Sequence, residues 1–135
     1  MKKVLLASLT STLILFAQGN AQAAWKELGS NELMVVYVDL DTVQTSGEKS
    51  QIVSMLDFKK PGSNPSNKGV VNSIIGLNEY SCPTLSYRPI EFKEFSGNKG
   101  TGKVISDNKT PDSKFEPITN GSWAAGVFNT VCKIQ

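Results

Sequence analysis

The apolar and polar positions of this chain change period along its length. Met34 to Val43 (MVVYVDLDTV) is rich in β-branched and aromatic residues and predicts a strand. Ser46-Gly47 supplies turn chemistry. From Ser50 to Phe58, Ile52, Ser54 and Leu56 alternate with Val53, Met55 and Asp57, so the two segments predict a hairpin. Lys59 to Gly69 is polar, with two prolines and two glycines, and predicts a long mobile loop. Val70 to Cys82 returns as a strand in which Gly76 marks a bulge or a close approach. Thr84 to Phe95 predicts another strand, which Pro89 must kink or place at an edge. Gly97 to Gly102 predicts a turn, Lys103 to Ser106 a short strand, and Ser106 to Lys114 a second polar loop.

The period then switches. In Ser122 to Cys132, Trp123, Val127 and Val131 fall four apart, with Ala124, Phe128 and Cys132 beside them. That spacing makes one apolar stripe on a helix, with Ser122 as N-cap and Gly121 just outside it. The fold class is α+β: an antiparallel meander of about five to six strands packed against a C-terminal helix. No internal repeat interrupts it.

The first 23 residues change the picture. Lys2 and Lys3 precede a largely apolar run from Val4 to Ala17, and Ala21-Gln22-Ala23 supplies a small-residue cleavage site. These are the three parts of a secretory signal. The run is too short, and too interrupted by Ser8, Thr10, Ser11 and Thr12, for a comfortable membrane span. The expectation is a cleaved signal over 1–23 and a single domain over 24–135. Cleavage removes two of the fourteen basic residues and leaves twelve against twelve acidic ones. No global basic field then argues for nucleic acid.

Export also places Cys82 and Cys132, the two cysteines of the chain, where a disulfide can form and persist. Neither has a competing partner. Two free thiols or a redox pair are the alternatives, although a redox pair calls for CxxC spacing.

Catalytic and metal chemistry find little support. The chain has no histidine, the commonest general base and metal ligand. Asp39 and Asp41, with Glu91 and Glu94, are the carboxylates a dyad would need. Asp39-Leu40-Asp41-Thr42 reads better as a strand end entering a turn, and Glu91 alternates with Lys93 as an exposed face. Gly97 to Lys103 formally matches GxxxxGK. The next residue is Val104 rather than a magnesium-binding Ser or Thr, and a strand rather than a helix follows. Asn108-Lys109-Thr110 and Asn120-Gly121-Ser122 are formal glycosylation acceptors only. No enzyme activity and no cofactor are expected.

Taken together, YVDLDTV, the Asp57 strand, NEYSC, the Tyr87-Arg88 strand, GKV and the ending ITNGSWAAGVFNTVC resemble the surface-adhesin protein E family of Gram-negative bacteria. Tyr37, Asp39, Asp57, Tyr80, Cys82, Gly121, Ser122, Val131 and Cys132 occupy matching positions. The resemblance implies an antiparallel sheet on a helix, a Cys82–Cys132 disulfide, and a non-enzymatic binding module for host extracellular-matrix proteins. Ala24 stands where a lipid-anchored relative needs cysteine, so the expected location is periplasmic or secreted, with surface association left open. The expected partner is a protein, with a homodimer also considered. Lys59, Lys60 and Lys68 of the polar loop and Tyr87, Arg88 and Lys93 of the following strand are the candidate contacts. A periplasmic inhibitor or accessory protein, binding an enzyme or an envelope component, is the alternative.

Overall fold

The computed structural model describes residues 23–132. Nearly all of the expected signal, through Gln22, and residues 133–135 lie outside the described residues. Six strands run in chain order through one antiparallel sheet: β1 Trp25–Ser30, β2 Met34–Ser46, β3 Lys49–Ser63, β4 Val70–Ser81, β5 Ser86–Phe95 and β6 Val104–Lys109. A two-residue strand, β7 Glu116–Pro117, pairs with β5 at Ser86 and Tyr87. The helix α1, Trp123–Val131, completes the α+β architecture.

The meander is therefore as expected, with differences at its margins. β1 is an additional strand that WKELGS does not announce by alternation. It is an edge strand on β2, and its register shifts between Glu27 and Gly29. β3 continues past Phe58 through Lys59 to Ser63 and re-pairs with β4 at Gly62–Val71 and Ser63–Val70. The expected mobile loop thus shrinks to 64–69, and side chains tie it down. Asn64 accepts the Ser66 and Asn67 amides at 2.9 and 3.1 Å, and Asn67 Nδ2 donates to the Ile105 carbonyl at 2.9 Å. β6 likewise extends into the second polar loop, because its ladder with β5 reaches Lys109–Glu91.

Pro89 kinks rather than edges its strand. Register shifts between Leu77–Glu91 and Asn78–Pro89, so β5 carries an extra residue there. Such a bulge tolerates the missing N–H. Gly76 serves a close approach: a Cβ there would stand 3.0 Å from Phe92 Cβ and 3.1 Å from the Glu91 carbonyl oxygen.

The pleat divides the sheet into two unlike faces. On one, Val36, Val38, Ile52, Leu56 and Tyr80 pack beneath Val127 and Phe128 of α1. The helix stripe is the one its sequence predicts, with Ser122 Oγ accepting the Ala125 amide at 3.3 Å. Nine residues make a marginal helix alone, so this packing and a covalent tether must hold it. The tether is the Cys82–Cys132 disulfide, with Cα atoms 5.5 Å apart and 50 residues between them in sequence. On the other face, away from α1, Met55 and Ser73 are buried, and a short 3-10 turn at Asn98–Gly100 lies over Ser73. There the 96–103 connection folds back over the sheet and covers one end of it.

Candidate functional site

The turns following β1, β3 and β5 converge at one end of the sheet. Lys59 N donates to the Leu33 carbonyl at 2.9 Å, and Asn98 Nδ2 to the Phe58 carbonyl at 2.9 Å. Lys59, Lys60 and Lys68 are all exposed at this end. Two further exposed lysines, Lys99 and Lys103, join them from the 96–103 connection. These two were missing from the candidates, since only the tertiary fold brings GNKGTGK beside the β3–β4 turn.

Asp57 fixes that connection. It is buried, and its Oδ1 accepts Asn98 Nδ2 at 3.0 Å and the Lys99 amide at 2.8 Å. Ser73 Oγ accepts the Gly100 amide at 2.8 Å and donates to the Gly97 carbonyl at 2.6 Å. Lys99, held at a positive φ of 53°, places its ammonium 5.8 Å from the centre of the Tyr37 ring. The backbone amides that a phosphate-binding loop would offer are thus occupied, and the strand β6 follows. GxxxxGK is a turn here. Asp57 is spent within the fold, and the exposed carboxylates of β1 and the turn after it are Glu27, opposite Tyr37, and Glu32.

The three candidates on β5 are not brought together. Tyr87 lies on the helix face, stacked on Tyr80 with ring centres 6.0 Å apart and edge-on to Trp123 at 5.5 Å. Arg88 and Lys93 lie on the opposite face. Arg88 is committed to the fold: its Nε is 3.0 Å from Glu79, and its Nη1 donates to the Pro111 and Ser113 carbonyls at 2.7 and 3.3 Å. Burial pushes the Glu79 carboxyl up. Hydrogen bonds from Gln51 and Arg88, with the charges of Arg88 and Lys49, outweigh this and hold it below its usual value. Lys93 is exposed, 3.9 Å from Asp107.

Each face also carries a concavity past Gly76. The open face has one of about 300 Å3, floored by Val53, Ile75 and Leu77 and rimmed by the Lys93–Asp107 and Lys109–Glu91 pairs. Exposed pairs of this kind contribute little to stability. The helix face has one of about 270 Å3 beside Trp123.

The carboxylates do not assemble a dyad. Asp39 is buried, and its Oδ1 accepts the Asp41 amide at 3.1 Å, while Thr42 Oγ1 donates to the Asp39 carbonyl at 2.6 Å. Thr42 Oγ1 also accepts the Val53 amide, so this segment forms a bulge against β3. Glu91 and Glu94, three apart on a strand, point to opposite faces. Asp39 and Glu91 share a face but sit three strands apart, about 14 Å at the usual spacing. Among the described residues no group of three or more His, Cys, Asp or Glu could hold a metal ion.

A disulfide-tethered helix on a six-strand meander, with exposed turns gathered at one end, defines a small single-domain scaffold that presents surfaces for binding. The chain belongs to the surface-adhesin protein E family, whose model matches residues 25–133. Solved structures of Haemophilus influenzae protein E share its fold. One crystal form has 12% identity and a TM-score of 0.61 over 84% of this chain and 91% of that chain. Another has 12% identity and a TM-score of 0.58 over 84% and 87%. Protein E from non-typeable Haemophilus influenzae has 12% identity and a TM-score of 0.57 over 85% and 79%. No curated protein matches the sequence. Family membership supports an exported, surface adhesin-like role, and with it protein binding. Among the described residues no helix is long and apolar enough to cross a membrane.

Proposed function

We propose that this chain is an exported binding module that attaches to host extracellular-matrix proteins through the lysine-rich end of its sheet. The observation that carries the reading is the convergence of Lys59, Lys60, Lys68, Lys99 and Lys103 from the end of β3 and the connections after β3 and β5. Clustered charge of one sign steers an oppositely charged partner and raises its association rate. Lys93 extends the surface along β5, whereas Arg88, tied to Glu79 and to the Pro111 and Ser113 carbonyls near the opposite end of β5, stands apart from it. In this reading the mature protein is released after Ala23 to the periplasm or beyond.

Solid-phase binding to immobilised matrix proteins tests this. The triple variant Lys59→Glu/Lys60→Glu/Lys68→Glu should bind about tenfold more weakly or worse, and native binding should fall with added salt. Superimposable binding curves at equal thermal stability would remove this end of the sheet from the function.

A further inference from the structure

The helix covers only part of its face of the sheet, and beside Trp123 the groove of about 270 Å3 stays open. Its walls are Trp123, Tyr87, Phe92 and Pro89, with Leu56 and Ile74 along the floor. Glu116 is the sole charged residue lining it, and no lysine or arginine does. Among the described residues Glu116, exposed on β7, makes no ion pair. Deeper in the groove stands Asn78, only 7% exposed, whose one hydrogen bond, to Ser54 Oγ, is a long 3.5 Å. No described group donates to the amide oxygen of Asn78, which is not sealed in the core but belongs to the lining of the groove.

We propose that this groove binds an organic cation, taken as a lysine or arginine side chain presented by a protein partner. Aromatic rings lining a cavity attract a cation through whatever π-face they leave open, and a carboxylate at the rim adds a charge-assisted hydrogen bond. Leu56, Ile74 and Pro89 suit the aliphatic stem of such a side chain. The amide oxygen of Asn78 suits its N–H donors. A volume under the roughly 300–1,000 Å3 of usual small-molecule pockets fits one long side chain rather than a folded segment. The charge sense is opposite to that of the lysine-rich end, so the two surfaces recognise different features and stand independently.

Titrations of the 15N-labelled mature protein with Nα-acetyl-lysine methylamide, its arginine analogue and its uncharged norleucine analogue test the proposal. The Trp123 indole and Tyr87 amide signals should move with lysine and arginine but not with norleucine. Glu116→Gln should weaken binding about tenfold, in line with the loss of one charge-assisted bond, and Glu116→Lys should abolish it. Both variants should keep the native melting temperature and native matrix-protein binding, which separates this site from the lysine-rich end. Equal shifts with norleucine, unchanged affinity in Glu116→Gln, or no shifts with any of the three would overturn it.

Discussion

Replacing Cys82 and Cys132 together by serine removes the bond that tethers α1 to the end of β4. The bond spans 50 residues of sequence. Loop-closure entropy for a segment of that length corresponds to about 4 kcal/mol, a large share of the ~5–15 kcal/mol net stability of a domain. For a domain of this size, 4 kcal/mol lowers the melting temperature by roughly 20 °C. The structure also says where the loss is felt first. α1 has nine residues and no basic residue in its last turn, so it persists only while docked. Its buried side chains are Ala124, Val127 and Phe128, of which Val127 and Phe128 pack with Val36, Ile52, Leu56 and Tyr80.

Circular dichroism melts of the oxidised protein, the reduced protein and the double serine variant measure the effect. Hydrogen exchange of the α1 amides locates it. Reduced and variant proteins should melt together and well below the oxidised form, with α1 exchanging before β3 and β4. The reduced native chain controls for the two added hydroxyls. Coincident melts in all three states would refute the entropic argument, and uniform exchange across α1 and the sheet would refute its localisation.

Two further outcomes follow from buried polar groups. Tyr80 is fully buried, and its hydroxyl has no hydrogen-bond partner among the described residues. Tyr80→Phe removes an unsatisfied group at nearly constant shape, so thermal melts should show unchanged or higher stability. A loss above about 1 kcal/mol would mean that the hydroxyl is bonded after all. Glu79 has a folded-state pKa held below its usual value of 4.5, so the native state stabilises its charged form. Its contribution is complete above that value and is lost as the pH falls through the lower, folded pKa. Denaturant midpoints measured from neutral to acidic pH should fall less steeply in Glu79→Gln than in the native protein; parallel slopes would contradict the linkage.

Much of the fold is legible in local pattern. Strands β2 to β5 follow from runs of β-branched and aromatic residues, and α1 follows from its four-residue stripe and its Ser122 cap. The two marks of backbone stress were legible as well. Pro89 lacks a ladder N–H and so asks for an edge or a kink, which the structure meets with a bulge, and Gly76 leaves room for Phe92 across the strand. β1 was not legible, because an edge strand buries too little to impose alternation on WKELGS. The 59–63 segment was not either: its prolines and lysines read as loop, yet the ladder to β4 resumes at Gly62.

The candidate contacts divide along the same line. Lysine content and exposure are properties of composition, and the sequence alone marked Lys59, Lys60 and Lys68. Which cations are free, and which neighbours join them, depends on contacts distant in sequence. Asp57 reaches across more than 40 residues to draw Lys99 to that end, while Glu79 takes Arg88 out of the surface. Glu116 drew no notice in the sequence, and becomes the charge of a groove only because β7 pairs beside Tyr87. Local periodicity follows from backbone geometry acting over a few residues, so the sequence by itself determined the elements and the two cysteines available to join them. Charge placement follows from which turns and faces meet, and this the tertiary structure alone decided.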